Sequence, residues 1–146
     1  MTEPIVNDLY ETDFYRWTQA QADALRRRAA NEIDWDRLAE EIETVGRSDR
    51  KEIRSRLEVL LIHLLKWHYQ PLRRSASWEA SIDEQRRRIA ETVEESPSLA
   101  GYPAEALERA YGLAIIDKAV RRLELLNLPA ACPWTIDQVL NADFLP

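Results

Sequence analysis

One short segment, residues 63–78, gathers most of the side chains in this sequence that could do chemistry. Its candidate binding surface consists of His63, Lys66, Trp67, Tyr69, Gln70, Arg73, Arg74 and Trp78. Guanidinium groups pair with phosphate in a bidentate manner, and aromatic rings stack on unpaired bases. The composition of this segment therefore suits an anion, a nucleotide or an unstacked base.

The same residue types also serve a structural purpose. Cationic side chains near the end of a helix offset its dipole and bond its last carbonyl groups. The aromatic side chains of Trp67, Tyr69 and Trp78 would fill a corner between two helices. Pro71 cannot continue a helix, so the chain must turn directly after Gln70. Both interpretations of the segment stay open at this point.

His63 is the candidate for acid–base or metal chemistry. Its neighbours on a helix are mostly apolar, so its ring needs a hydrogen-bond partner, which Glu40, Glu41, Glu43 or a backbone group could supply. A glutamate would orient a base or a metal ligand. His68 lies about 140° further round the helix and cannot share a ligand set with His63. We predict that His63 is structural and that the protein binds no metal.

Other catalytic patterns are missing from the sequence. There is no HExxH motif and no GxSxG elbow, and Cys132 stands before a proline with no histidine nearby. The three glycines do not form a phosphate-binding loop. We predict a protein without a cofactor and without enzymatic activity, and an enzyme based on His63 stays as an alternative.

Composition favours one helical core. The chain has 146 residues, of which 45% are hydrophobic and 32% are charged, a charged share above the ordinary ~25% and typical of amphipathic helices. No segment alternates strictly between apolar and polar residues, so strands have little support. We expect an all-α protein, a compact bundle of five to six mostly antiparallel helices in a single domain over residues 1–146.

Apolar periodicity and proline positions place the helices. They are predicted at about 8–30, 34–45, 49–70, 77–95 and 103–127, with a short helix after Thr135. Helix 49–70 is apolar on more than one side and is predicted to be central. Helix 103–127 carries apolar residues that include Val120 and Leu123. Thr135 and Gln138 form a capping-box pattern for the last helix.

The first two predicted helices are amphipathic. The first carries a stripe of Phe14, Trp17, Gln21, Leu25 and Ala29. The second carries a stripe of Trp35, Leu38, Ile42 and Val45, here called the Trp35–Val45 stripe. Gly46 is predicted to end the second helix in a left-handed conformation.

Charge is distributed unevenly along the chain. Residues 31–46 contain six acidic side chains and one basic side chain, whereas residues 47–90 have a net charge of +5. Either these helices complement one another within the fold, or the basic part binds a nucleic acid or another anion. For the second case the candidates are the basic aromatic segment 66–88, with Arg73, Arg74 and the run Arg86–Arg88. On the predicted helix 77–95 that run lies mostly on the solvated face.

Cysteine usage and hydropathy bear on location. A single cysteine, Cys132, cannot form an internal disulfide and suits a reducing compartment. The first residues lack a signal-peptide pattern, and the longest apolar runs are too short to cross a bilayer. We therefore expect a cytoplasmic protein that does not enter a membrane.

Several segments resemble one bacterial family. They are WDRLAEEIETVGRSDRKEIRSRLEVLLIHLLKWHYQP at 35–71, LYETDFYRW near the start, RSASW at 74–78, EQRRRIA at 84–90, SPSLAGY at 96–102, CPWT at 132–135 and DFLP at the end. Over about residues 9–146 the chain is similar to the family called domain of unknown function 29. This resemblance implies an all-helical intracellular bacterial domain, and it transfers no catalytic residue, cofactor or substrate.

The sequence thus favours a small cytoplasmic binding or regulatory module that acts through protein interaction. The surface predicted to carry that interaction lies around residues 66–78. A protein partner or a homo-oligomer would fit this prediction. The alternatives are a nucleic-acid or anion binder and the enzyme based on His63.

Overall fold

The computed structural model describes residues 6–117, 120 and 128–146, and within these ranges the chain forms helices and turns with no strand. The helices are α1 (Val6–Thr12), α2 (Phe14–Arg27), α3 (Trp35–Tyr69), α4 (Ala76–Glu95), α5 (Tyr102–Ile116) and α6 (Ile136–Leu140). Short 3-10 turns occur at Ala30–Glu32, Pro71–Arg73 and Pro97–Leu99. The predicted all-α class is confirmed. Among the described residues no helix combines the length and the apolar character that a membrane crossing requires.

The chain divides into two compact units, Met1–Arg47 and Ser48–Pro146. In the first unit the helix predicted at 8–30 is interrupted at Asp13, whose carboxylate caps α2 by accepting a hydrogen bond from the Arg16 amide. Arg28, with φ 57°, ends α2 in the left-handed region. Of the predicted stripe on this helix, Trp17 and Gln21 are buried, whereas Phe14 is 47% exposed and Leu25 is 41% exposed.

Gln21 connects α2 to the start of α3. Its amide donates to the Glu32 carbonyl at 3.1 Å and accepts from the Asp34 backbone N–H at 2.8 Å. A buried amide side chain that both donates and accepts is satisfied at both ends. These two bonds fix the turn that precedes α3.

The prediction that Gly46 ends a helix is wrong. Helix α3 runs without a break for 35 residues, and no described glycine has a positive φ. One glycine inside a helix costs only about 1 kcal/mol relative to alanine, which the flanking helical residues offset. The two helices predicted at 34–45 and 49–70 are therefore one.

In the second unit, helices pack around the α3 residues from 48 onwards. The buried side chains of this part are Ile53, Leu57, Leu60, Leu61, Ile62, Leu64 and Leu65. They share one hydrophobic cluster with residues of α4, α5 and α6, including Ile82, Tyr111 and Val139. Helix α4 runs antiparallel to α3, because Arg56 bonds Gln85 while Lys66, further along α3, contacts Trp78 near the start of α4. The predicted central position of helix 49–70 is confirmed.

The last two helices differ in how far the prediction reaches. Helix α5 ends at Ile116, where Asp117 is extended. The predicted continuation to residue 127, with Leu123, falls on residues 118–119 and 121–127, which lie outside the described residues. Before α6, Thr135 and Gln138 form the predicted capping box, with the Thr135 N–H donating to the Gln138 side chain at 2.9 Å.

Candidate functional site

The candidate site is built on the turn between α3 and α4. Helix α3 ends at Tyr69, and Pro71 stands at the first position of the 3-10 turn that follows. Ser75 then caps α4 by accepting a hydrogen bond from the Trp78 backbone N–H at 3.2 Å. Both ends of this six-residue connection, residues 70–75, are thus defined by local chemistry.

Arg74 folds back onto the end of α3. Its Nε donates to the Trp67 carbonyl at 2.8 Å, and its guanidinium carbon lies 4.9 Å from the centre of the Trp67 ring. Its Nη2 is 3.4 Å from the Pro146 carbonyl oxygen. This is the structural role that the sequence offered for a cation at a helix end, because the guanidinium bonds one of the last helical carbonyls.

Lys66 and Trp78 form a second cation–aromatic pair. The Lys66 ammonium lies 5.5 Å from the centre of the Trp78 ring and so connects α3 to α4. Each of the two tryptophans in the predicted surface therefore has one face contacted by a cation of the same chain. Base stacking on these two faces would require the cations to move away.

The remaining candidate residues surround a small surface pocket. Its volume is about 260 Å³ and its lining consists of Tyr69, Gln70, Pro71, Leu72 and Arg73. Leu72 is fully exposed, at 101% of its reference area. Arg73 is also exposed, and no carboxylate among the described residues lies within 4 Å of its charged group. The turn thus presents an aliphatic side chain next to a cation and a pocket.

His63 is separate from this pocket. Its Nδ1 lies 2.8 Å from the Val59 carbonyl oxygen one turn earlier on α3, so its partner is a backbone group of its own helix and not a glutamate of residues 40–43. Burial lowers the pKa of His63 below its ordinary value of 6.5, the Val59 carbonyl opposes that shift, and the charge of Lys66 adds to it. This geometry fits a structural histidine.

The lowered pKa of His63 predicts a pH dependence of stability. Because the folded state binds the proton less readily, the unfolded state is protonated first as the pH falls below about 6.5, and stability is lost between that pH and the lower pKa of the folded state. His63→Gln should remove this part of the pH dependence. Chemical denaturation of the wild type, His63→Gln and the control His68→Gln, each at pH 7.5 and pH 5, measures it. If His63→Gln lost as much stability between pH 7.5 and pH 5 as the wild type does, the prediction would be contradicted.

Arg86 does not belong to a solvated face, and that part of the prediction is wrong. It is 6% exposed, and it donates from Nε to the Val139 carbonyl and from Nη2 to the Phe144 carbonyl, both at 2.8 Å. Burial lowers the pKa of this guanidinium, and the charge of Asp83 opposes the shift. Arg87 and Arg88 are exposed and form ion pairs with Glu84 or Glu91 at three- and four-residue spacing. Arg86 therefore holds residues 139–144 and is not available to a phosphate backbone.

Sequence reasoning missed Leu72 and the buried state of Arg86. Leu72 could have been found, because it is an aliphatic residue in a turn that also contains Pro71, Arg73 and Arg74. The burial of Arg86 could not have been found in this way. Arg86, Arg87 and Arg88 are the same residue type and differ only in the direction in which each side chain leaves the helix.

The part of the chain that the structure describes contains neither a cluster of metal ligands nor an activated cysteine. No group of three or more histidine, cysteine, aspartate or glutamate side chains lies close enough there to hold a metal ion. Burial raises the pKa of Cys132, which keeps the sulfur as the less nucleophilic thiol. The absence of a metal and of a cofactor stays a prediction.

The fold and the site define an all-helical protein with a cationic, aromatic turn between two antiparallel helices. Comparison with protein families matches residues 9–145 to the family described as "Domain of unknown function DUF29". The chain belongs to this family, which confirms the resemblance found in the sequence. No curated protein and no solved structure matches the chain.

Proposed function

We propose that this protein is a cytoplasmic interaction module that binds an acidic segment of a partner protein at the α3–α4 turn. The segment carries one aliphatic or aromatic side chain that contacts Leu72 and enters the pocket beside it. Glutamate or aspartate residues of the partner pair with Arg73 and with the other cations of the turn. The observation that carries this proposal is the full exposure of Leu72 on the turn.

Three properties of the turn support the proposal. An aliphatic side chain held outside the core on a short 3-10 turn offers apolar area to a partner without unfolding the bundle. The turn is held at both ends, by Arg74 on α3 and by Ser75 on α4, so little conformational entropy is lost on binding. The pocket of about 260 Å³ is large enough for one side chain.

Charge favours an acidic partner. Residues 47–90 have a net charge of +5 within a chain of net charge −6, so this part attracts acidic segments while the rest of the protein repels them. The turn is less suited to binding a nucleic acid, because Arg86 is buried and cations of the chain contact the rings of Trp67 and Trp78.

Selection from a random peptide library tests this proposal. Phage-displayed peptides selected on the folded protein should converge on acidic sequences with one aliphatic or aromatic residue. Their affinity should fall at least about tenfold in Leu72→Ser, because truncation of a central contact costs on the order of 1–2 kcal/mol or more. Ile116→Ser is the matched control, since Ile116 is also exposed in the second unit but lies on α5. It should bind like the wild type.

Two results would overturn the proposal. The first is a selection that yields no acidic peptide or only peptides that bind Leu72→Ser as well as the wild type. The second is tight binding of a single-stranded oligonucleotide at about 50 mM salt that weakens steeply with added salt, since each phosphate contact releases counterions. That result would favour the nucleic-acid alternative.

A further inference from the structure

The first unit exposes the apolar face of a helix. In the Trp35–Val45 stripe, Trp35 is 60% exposed, Ile42 is 65% exposed and Val45 is 68% exposed, while Leu38 is half-buried. The spacing of three and four residues places these side chains along one side of α3. An amphipathic helix ordinarily turns such a stripe towards a core.

Contacts with α1 lie on another side of the same helix. The Tyr10 hydroxyl donates a hydrogen bond to the Glu41 carboxylate, and the Arg37 guanidinium carbon lies 4.6 Å from the centre of the Tyr10 ring. Arg37 also pairs with Glu11 at 3.5 Å. Since Ile42 is rotated by about 100° from Glu41, α1 covers the polar side of α3 and leaves the apolar stripe exposed.

Trp35 is held in position although it is exposed. Its indole N–H donates to the Ala30 carbonyl at 3.2 Å, which fixes the ring against the turn before α3. A large aromatic side chain that is already ordered loses little entropy when a partner covers it. Tryptophan is also the residue type most enriched among the side chains that dominate binding energy.

Two small residues lie beside the stripe. Ala39 and Gly46 are exposed and follow Trp35 and Ile42 by four residues each. A Cβ atom added at Gly46 would meet nothing within 4 Å. A second helix can therefore approach the backbone of α3 on this side while its apolar side chains contact the stripe.

The charge around the stripe selects the partner. Residues 31–46 contain six acidic side chains and one basic side chain, and Asp36, Glu40 and Glu43 are exposed. A second copy of this face would bring acidic residues against acidic residues, which is unfavourable. A helix with lysine or arginine beside an apolar stripe would find opposite charge.

We propose that the Trp35–Val45 stripe binds one basic amphipathic helix of another protein. The apolar residues of that helix repeat at three- and four-residue spacing and contact Trp35 and Ile42. Its lysine and arginine side chains pair with the exposed carboxylates of residues 36–43. This site lies in the first unit, is separate from the α3–α4 turn, and binds a ligand of opposite charge.

A peptide of known sequence tests the proposal. The probe is a dye-labelled 18-residue peptide of leucine and lysine whose leucines repeat at three- and four-residue spacing. Fluorescence anisotropy should show saturable binding to the full chain with a dissociation constant in the micromolar range. Ile42→Ser and Trp35→Ala should each weaken binding by about tenfold or more. Ile116→Ser, a matched change at an exposed aliphatic residue of the second unit that lies in neither proposed site, should leave it unchanged.

Peptide controls separate recognition from simple attraction between opposite charges. A scrambled peptide of the same composition, without the stripe, should bind at least about tenfold more weakly, and so should a leucine–glutamate peptide with the stripe intact. Equal binding of the scrambled peptide, or full binding by Ile42→Ser, would overturn the proposal. If Leu72→Ser binds the phage-selected peptides as well as the wild type does, the proposed function at the α3–α4 turn fails. The proposal for the Trp35–Val45 stripe is not affected by that result.

Sedimentation equilibrium tests the competing occupant. The wild type should be monomeric at micromolar concentration if the stripe is reserved for a different protein. A dimer that dissociates in Ile42→Ser would overturn the proposal and assign the stripe to a second copy. Thermal unfolding of Ile42→Ser, at an exposed position, should match that of the wild type and show that any lost binding is not lost folding.

Discussion

Leu61→Ala is expected to lower the free energy of unfolding by about 2–5 kcal/mol, the range for a leucine truncated in a packed core. Leu61 lies on α3, has no exposed surface, and belongs to the hydrophobic cluster that joins α3 to α4, α5 and α6. Because the whole side chain is buried in this cluster, its truncation leaves a cavity that the surroundings fill only in part. Urea denaturation followed by circular dichroism measures the loss.

A second apolar residue on the same helix is the control. Val59 is 37% exposed, and Val59→Ala should cost less than about 1 kcal/mol, because part of the side chain already lies in water and alanine is the better helix former. Equal losses at the two positions would show that this part of α3 is not the centre of the second unit. A loss of less than about 1 kcal/mol for Leu61→Ala would show the same.

The central helix was predictable because burial leaves a simple trace in sequence. A helix covered by neighbours on several sides needs apolar residues on several sides, and residues 53–65 have them. The cap of α6 was also predicted, since Thr135 acts on an amide only three residues away. Features that depend on local chemistry or on total burial thus follow from the sequence.

The exposure of the Trp35–Val45 stripe could not be predicted from the sequence. Periodicity reveals which side chains share a face, and it does not reveal whether the covering element belongs to the same chain. Gly46 added to the error, because a glycine after an apolar stripe is typical of a helix end, yet α3 continues through it. An apolar stripe that its own chain leaves exposed is also the feature expected of a surface that another protein covers.

The candidate turn was located from sequence, but its internal pairing was not. The segment contains several cations and several aromatic rings, and many pairings satisfy the same composition. The structure pairs Lys66 with Trp78 and Arg74 with Trp67. These choices depend on the crossing of α3 and α4 and on the path of the turn, which are tertiary properties. They also leave Leu72 and Arg73 as the exposed groups, and so change which residues a partner would contact first.

The partners of Arg86 also depend on tertiary structure, and their loss has a larger effect on stability. Arg86→Met is expected to lower the free energy of unfolding by about 2–4 kcal/mol, because the Val139 and Phe144 carbonyls each lose a charged hydrogen-bond donor in a largely buried place. Methionine keeps most of the apolar volume of the arginine stem, so the loss reports the guanidinium and not a cavity. Denaturant titration gives the magnitude, and hydrogen exchange should show faster exchange in residues 136–144, the segment that Arg86 holds.

Arg88→Met is the control for this prediction, since it makes the same change two residues further along α4. Arg88 is exposed and pairs with Glu84 at 3.3 Å, an interaction worth about 0.2–1 kcal/mol at a surface. One outcome would contradict the assigned role of Arg86. Its Nη1 is buried without a hydrogen-bond partner among the described residues, and removal of that uncompensated group is favourable. Arg86→Met would be as stable as the wild type only if the free energy gained by removing the unpaired Nη1 equalled the free energy lost with the two hydrogen bonds. In that case Arg86 would not stabilise residues 136–144.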